Sequence, residues 1–406
     1  MNTTKNNYGP LTIIGILFFV FGFITWVNAV LIPFFQKAFD LNNTAAYLVT
    51  FAFYISYTIM AIPSTWVLKK VGFKRGMSVG LFVMALGAII FVPAAKAESY
   101  ELFLVGLFVI ATGLTVLQTA SNPYVTILGP IESAAQRISV MGIANKVAGI
   151  IGQKVLGGIL LVGGSAAAST LTRGQQLEKV ILPYIIISAV LLILALAVWL
   201  MKGLPEVEEE EETVNASTGD KSSIWSHPNL VFGLAALFLY VGAEVIAGDS
   251  IIAYGISQGF PEEQAKDFGT YTLWLMLLGY VLGIFLIPKY VSQGTWLKYS
   301  AIFGVIATLG AIFMSGFNSV LCIALLGLAN AIMWPAIWPL ALDGLGKYTK
   351  LASAFLVMMI AGGAILNSTY AVFADSVGTQ EAYWLVVPMY VYIFWYAAIG
   401  HKKKFW

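Results

Sequence analysis

Residues 100–128 read YELFLVGLFVIATGLTVLQTASNPYVTIL, an apolar run whose final part carries amides, a serine and a proline. A helix crosses the bilayer core with about 20 mostly apolar residues, so this run is long enough to span a membrane. Gln118 and Asn122 lie in its polar part. Because no water reaches the hydrocarbon core, their carboxamides must bond within a helix bundle or line a wet cavity. The stretch predicts a membrane protein with a polar path between its helices.

The whole chain has the same apolar character. Hydrophobic residues make up 59% of the 406 residues and charged residues 10%, with a mean hydropathy of +0.85, which excludes an ordinary water-soluble domain. Runs that could cross a membrane occur near 10–35, 46–68, 75–95, 100–128, 136–162, 180–201, 228–256, 268–288, 297–315, 318–343, 351–374 and 382–400. We therefore predict an all-α membrane protein with twelve transmembrane helices.

A polar segment divides these runs into two sets of six. Residues 206–212 carry a run of glutamates, followed by a stretch rich in Ser, Thr, Asn and Gly that cannot bury enough apolar surface to fold. The two sets also repeat, since LFFVFG at 17–22 resembles LFLYVG at 237–242, a shift of 220 residues. The prediction is a six-helix bundle over 1–202, a cytoplasmic linker over 203–227 and a second six-helix bundle over 228–406.

Lysine and arginine positions predict the orientation. With a cytoplasmic N-terminus, most basic residues fall on the cytoplasmic side, so both termini are expected there in a multi-pass protein of the bacterial inner membrane. The basic residues lie at segment ends rather than on one face, which argues against nucleic acid as a partner. No Gly-Lys-Ser/Thr phosphate loop is present, so we expect a gradient-driven transporter and not an enzyme.

Cysteine and histidine usage predicts no metal and no cofactor. The single cysteine, Cys322, excludes a disulfide within the chain and argues against a metal cluster. His227 and His401 fall in predicted loops, so no histidine proton relay is expected. The expected partners are a substrate, a coupling ion and membrane lipid, and we expect the protein to be a monomer.

Amide side chains are the first group of candidate binding residues. Gln118 and Asn122 lie four residues apart and share one face of the fourth predicted helix. Asn145 in the fifth span and Asn28 in the first are also deep within apolar sequence. Amides donate to and accept from hydroxyl groups, so we predict that these four residues bind a sugar. The alternative interpretation is hydrogen bonding between helices, for which amides are equally suited.

Three ionisable residues form the second group. Lys146 lies too far from either end of the fifth span to reach the interface easily, so it needs a carboxylate partner or a wet cavity. Glu244 and Asp249 in the seventh span lie about 140° apart on a helix, although Gly242 and Gly248 would permit local unwinding. We predict that Glu244, Asp249 and Lys146 couple transport to an ion, either H⁺ or Na⁺. The alternative is a structural ion pair with Lys146.

Tryptophans form the third group. Trp26 lies in the first span, and Trp334 and Trp338 share a face of the tenth, within NAIMWPAIWPLALDG. Their rings would suit the C–H face of a sugar, whereas the alternative interpretation is packing or an interfacial belt. The neighbouring Asn330 and the prolines that follow each tryptophan favour the binding interpretation.

Four segments resemble the fucose:proton symporter family of sugar transporters in the major facilitator superfamily. They are VNAVLIPFFQKAFDL from Val27, QTASNPYVTILGP from Gln118, the fifth span with Asn145, and KYTKLASAFLVMMIAGGAIL from Lys347. The NP followed by TxLGP in the fourth span is quite specific to that family, and the likeness covers nearly the whole chain. The resemblance implies the major facilitator fold of two six-helix bundles, alternating access, and a hexose or deoxyhexose substrate.

Two departures from that family affect the expected mechanism. The first-span Asn of the family is typically followed by an Asp, whereas Asn28 here is followed by Ala29, and Gln118 stands where the fucose carrier has Glu. The repeat shift of 220 residues places Asp249 opposite Ala29. We therefore expect that acidic function has moved to the seventh span. The predicted function is a cation-coupled sugar importer, with a sugar uniporter as the runner-up and a drug/proton antiporter or a transport-inactive sensor as weaker alternatives.

Overall fold

The computed structural model describes residues 8–127, 134–161, 171–201, 223–287, 289–345 and 348–403, with the side chains of 8–11, 122–127, 134–138 and 349–350 outside that description. The described secondary structure is helical throughout. The α-helices are α1 Tyr8–Trp26, α2 Asn28–Phe39, α3 Asn43–Ala46, α4 Leu48–Val71, α5 Phe73–Lys96, α6 Tyr100–Ile127, α7 Ala134–Leu160, α8 Arg173–Glu178, α9 Ile181–Leu200, α10 Pro228–Ser257, α11 Glu262–Ala265, α12 Phe268–Leu286, α13 Gln293–Phe313, α14 Gly316–Asn330, α15 Met333–Leu342, α16 Thr349–Met358, α17 Ala361–Val377 and α18 Val386–Ala398.

The helices form the predicted membrane spans. Among the described residues, 11 helical segments are long and apolar enough to cross a membrane, and α7 is of similar length. Helix α7 is less apolar because Asn145, Lys146, Gln153 and Lys154 all lie within it. The all-helical fold class and the span positions predicted from the sequence are therefore confirmed.

Two spans are interrupted near mid-depth. The first span breaks between α1 and α2 at Val27, and the tenth breaks between α14 and α15 after Asn330. In contrast, α10 is one unbroken helix, so the local unwinding expected at Gly242 and Gly248 is absent. These glycines instead admit neighbouring side chains at close range.

The helices pack as two halves. In the N-terminal half α1 packs on α7, and α5 packs on α6 and α9; in the C-terminal half α10 packs on α17, and α13 packs on α14 and α18. A Cβ on Gly22 would lie 1.8 Å from the carbonyl oxygen of Asn145, and one on Gly242 would lie 2.3 Å from Leu366 Cδ1. The two crossings correspond at the repeat shift, so both halves use glycine to bring their first and fifth spans together. The proposed bundle boundaries stay predictions, because residues 202–222 of the linker region lie outside the described residues.

The halves meet along two seams, α4 against α17 and α7 against α12, with α2 against α10 between them. We call the end that holds both termini the termini end; there the Asn229 backbone N–H donates to the carbonyl of Lys403. The opposite end is called the far end. The functional site described below lies between these two ends, at the contact between the halves.

Candidate functional site

An ion pair joins the halves at mid-depth. Lys146 Nζ on α7 lies 3.5 Å from Glu244 Oε1 on α10, and the two side chains are only 8% and 14% exposed. Tyr240, one turn earlier on α10, donates a hydrogen bond from its hydroxyl to Glu244 Oε2 at 2.7 Å. Two opposite charges placed in a low-dielectric site attract strongly, but each would be costly if left alone. The structure thus places Lys146 against one of its two candidate carboxylates.

Trp26 connects this pair to the amide of Asn145. Its Nε1–H donates to Asn145 Oδ1 at 3.0 Å, and the ammonium of Lys146 lies 4.1 Å from the centre of the indole ring. A cation over a desolvated indole face is attracted by the ring quadrupole. A Cβ on Gly149 or Gly248 would lie 2.6 or 2.5 Å from the indole, so both glycines are needed to seat it.

The same contacts cover the face of Trp26 that was predicted to stack on a sugar. The residue is 3% exposed, and Lys146 occupies one ring face. In this conformation Trp26 positions Asn145 and Lys146, and a sugar-stacking role for its ring stays a prediction for another state.

The break in the first span lies beside Trp26. Gln153 of α7 donates from Nε2 to the Trp26 carbonyl at 2.8 Å, which satisfies a carbonyl at the end of α1. Asn28, at the start of α2, is fully buried, and neither polar atom of its side chain has a hydrogen-bond partner among the described residues. A buried amide without partners is costly, so Asn28 is a candidate to gain partners in another state.

Asp249 lies apart from Glu244 and contacts a different residue of the other half. Thr50 of α4 donates from Oγ1 to Asp249 Oδ2 at 2.9 Å, and both residues are fully buried. The second carboxylate oxygen, Oδ1, has no hydrogen-bond partner among the described residues. The two carboxylates of α10 therefore form two separate contacts between the halves, one with Lys146 and one with Thr50.

The amides of α6 lie on the N-terminal side of the site. Gln118 is half-buried, and its Nε2 donates to the hydroxyl of Tyr57 at 3.4 Å. Asn122 belongs to α6, but its side chain lies outside the described residues. Helix α6 continues through Pro123 to Ile127.

The tryptophans of α15 lie on the C-terminal side. The rings of Trp334 and Trp338 stack with centroids 5.3 Å apart at an interplanar angle of 29°, and both residues are half-buried. Trp334 also lies 6.5 Å from the ring of Tyr240, which links this stack to Glu244. Trp338 borders a cavity of about 630 Å³ near the end of α15, together with Asp343 and Gln293. The stack therefore connects the mid-depth pair to open space toward the termini end.

Several contact residues were not predicted from the sequence. Tyr240 could have been found, because it precedes Glu244 by four residues and so shares its helix face. Tyr57, Thr50 and Gln153 contact the site from other spans, and one sequence carries no signal for such long-range pairings.

The sequence pattern of the Major Facilitator Superfamily matches residues 14–368. The chain belongs to this superfamily. A glucose/galactose transporter of Brucella abortus biovar 1 (strain 9-941) is 35% identical over 405 residues, covering 99% of this chain and 96% of that protein. The L-fucose-proton symporter of Escherichia coli (strain K12) is 32% identical over 387 residues, covering 91% and 87%.

The fold of this major facilitator protein also matches a solved relative. A crystal structure of FucP, a transporter of the superfamily in the outward conformation, gives a TM-score of 0.74 at 30% identity, covering 98% of this chain and 99% of that one. The predicted family and its fold of transmembrane helices are confirmed by these matches.

Proposed function

We propose that this major facilitator protein imports a neutral hexose or deoxyhexose by alternating access, coupled to H⁺ or Na⁺. The observation that carries the proposal is the mid-depth cluster in which Asn145, Lys146 and Glu244 meet between the halves. Groups shared by the two halves are the ones a bound sugar would contact in both access states. The names of the relatives, glucose/galactose transporter and L-fucose-proton symporter, support a monosaccharide as the substrate.

The proposed sugar site combines amides and aromatic rings. Gln118, Asn122, Asn145 and Asn28 would bond sugar hydroxyls, and the stacked rings of Trp334 and Trp338 would contact its apolar face. Trp26 would hold Asn145 and Lys146 in place. This division matches the usual arrangement of carbohydrate sites, in which polar groups fix orientation and rings supply apolar contact.

The proposed ion-coupling site lies on α10. Asp249 is sealed between the halves and has one unbonded oxygen, whereas Glu244 is already compensated by Lys146. A carboxylate that changes its access to water can carry a proton, and sodium would instead need further oxygen ligands around it. We assign the coupling step to Asp249, with Glu244 and Lys146 as the associated charge pair.

The cellular setting follows from the same proposal. The protein would act as a monomer in the bacterial inner membrane with both termini cytoplasmic, since basic residues concentrate at the termini end. A sugar uniporter is the second candidate, and the specific observation in its favour is that Ala29 and Gln118 cannot titrate.

Reconstitution in liposomes tests the proposed function. Counterflow of a panel of radiolabelled hexoses and deoxyhexoses identifies the substrate, and uphill uptake under a sodium or a proton gradient identifies the coupling ion. Accumulation under one gradient supports a symporter. Counterflow without accumulation under either gradient supports the uniporter, and absence of counterflow for every sugar overturns the sugar assignment.

A further inference from the structure

A carboxylate of the C-terminal half caps a helix of the N-terminal half at the far end. Asp375, near the end of α17, accepts hydrogen bonds from the backbone N–H groups of Asn43 and Thr44 at 2.9 and 2.7 Å. The hydroxyl of Thr44 donates to the same carboxylate at 2.5 Å. Asn42 Oδ1 accepts from the next amide, Ala45, at 2.9 Å. The free amides at the start of α3 are thus satisfied partly by the opposite half.

Two exposed ion pairs join the halves at the same end. Lys154 of α7 lies 3.1 Å from Asp267, just before α12, and Lys37 of α2 lies 2.7 Å from Glu262 of α11. Their side chains are between 32% and 53% exposed, and exposed ion pairs usually contribute little. A carboxylate bonded by several N–H and O–H donors is held more strongly and in a fixed direction. Asp375 is therefore the principal polar contact at the far end.

The bonds of Asp375 lie above the buried interface between the halves. Below them the rings of Tyr47 and Tyr370 meet across the halves with centroids 5.8 Å apart, and Thr50 contacts the buried Asp249. The acceptor belongs to α17, while two of the three donors are main-chain atoms of the other half. Since main-chain donors cannot follow by rotating a side chain, a rigid-body separation of the halves at this end must break these bonds.

We propose that Asp375 is the latch that holds the far end closed, and that opening the far end requires its bonds to α3 to break. The inference goes beyond the proposed function, because it concerns which end is sealed and by which residue. It needs no substrate and no coupling ion, so it can fail or succeed independently of the sugar assignment.

Cysteine labelling of the purified protein in detergent tests the latch. The native Cys322 is replaced by serine, and Thr50→Cys places a single reporter at the sealed contact with Asp249. The labelling rate with a hydrophilic maleimide is then compared with and without Asp375→Asn. Glu263→Gln is the matched control, because Glu263 is an exposed carboxylate at the same end, next to the ion-paired Glu262.

Asp375→Asn should raise the labelling rate of the reporter roughly fivefold or more, the range of a typical coupling between two conformations. Glu263→Gln should leave the rate unchanged, and Thr44→Val, which removes only the hydroxyl donor, should give an intermediate rate. Labelling of native Cys322 in an Asp375→Asn protein reports general unfolding and should not change. Equal reporter rates in Asp375→Asn, Thr44→Val and Glu263→Gln would overturn the latch, and faster labelling of Cys322 would assign Asp375 to overall stability instead.

Discussion

Lys146 and Glu244 form an ion pair between opposite halves of the molecule, with 3.5 Å between Nζ and Oε1. Neither half can therefore move at mid-depth without changing the surroundings of a buried charge. Trp26 and Tyr240 hold the two partners from their own halves, so the pair joins two fixed groups rather than two freely rotating side chains.

The first prediction concerns this pair. Lys146→Ala leaves Glu244 without its countercharge in a nearly buried site, so it should impair transport, as should Glu244→Gln. The double variant should be less impaired than the sum of the two single effects, with a coupling of about 0.5–3 kcal/mol in a double-mutant cycle. Initial uptake rates in proteoliposomes provide the measurement. Strict additivity would contradict a functional ion pair.

The second prediction concerns Asp249. Asp249→Asn removes the only fully buried carboxylate among the described residues, so gradient-driven accumulation of sugar should be lost. Counterflow should persist, because exchange returns the loaded carrier without releasing the coupling ion. Uphill uptake and counterflow are measured in parallel on the same proteoliposomes. Asp267→Asn is the control, since that carboxylate is exposed and lies outside the site. Normal accumulation by Asp249→Asn would exclude it as the coupling residue.

The third prediction concerns the sugar amides. A hydrogen bond left unmade in a buried site costs about 1–3 kcal/mol, so Gln118→Ala and Asn145→Ala should each weaken sugar binding roughly tenfold or more. Asn145→Ala should have a second effect, because it also removes the acceptor of the Trp26 indole. Binding is measured by isothermal calorimetry, with the exposed Gln264→Ala as the control. Unchanged affinity in both variants would place the sugar elsewhere.

The fourth prediction concerns the seat of Trp26. Gly248→Ala would place a methyl group 2.5 Å from the indole, so it should destabilise the protein by about 1–3 kcal/mol and lower sugar transport. Gly158→Ala in α7 is the matched control, since its methyl group meets no atom within 4 Å and alanine favours helix. Thermal unfolding in detergent compares the two. A melting temperature for Gly248→Ala equal to that of Gly158→Ala would show that the indole can move aside.

The spans, the twofold repeat and the family could be predicted from the sequence because each rests on a local or periodic signal. Long apolar runs predict helices in lipid, and counting deep carboxylates left few possible partners for Lys146. Glu244 was among them, and the structure selects it. The shift of 220 residues also reappears in the glycine crossings at Gly22 and Gly242.

The finer geometry of the site depends on which helices meet, and one sequence does not encode that readably. Trp26 was interpreted as a sugar platform, but the close crossing at Gly149 and Gly248 encloses its ring. Thr50 gave no signal as the partner of Asp249, since the two residues are far apart in the chain. Glycines that suggested unwinding serve instead as notches for neighbouring side chains.

The unbroken course of α10 sets the relation between its two acidic residues. Asp249 follows Glu244 by five residues, so it lies about 7.5 Å nearer the far end along one rigid rod. Water entering from that end would reach Asp249 first and Glu244 only afterwards. The sequence in which the two acids become hydrated is thus a property of the spacing along the rod, and moving either acid by one turn would alter the timing of ion release without changing the composition of the site.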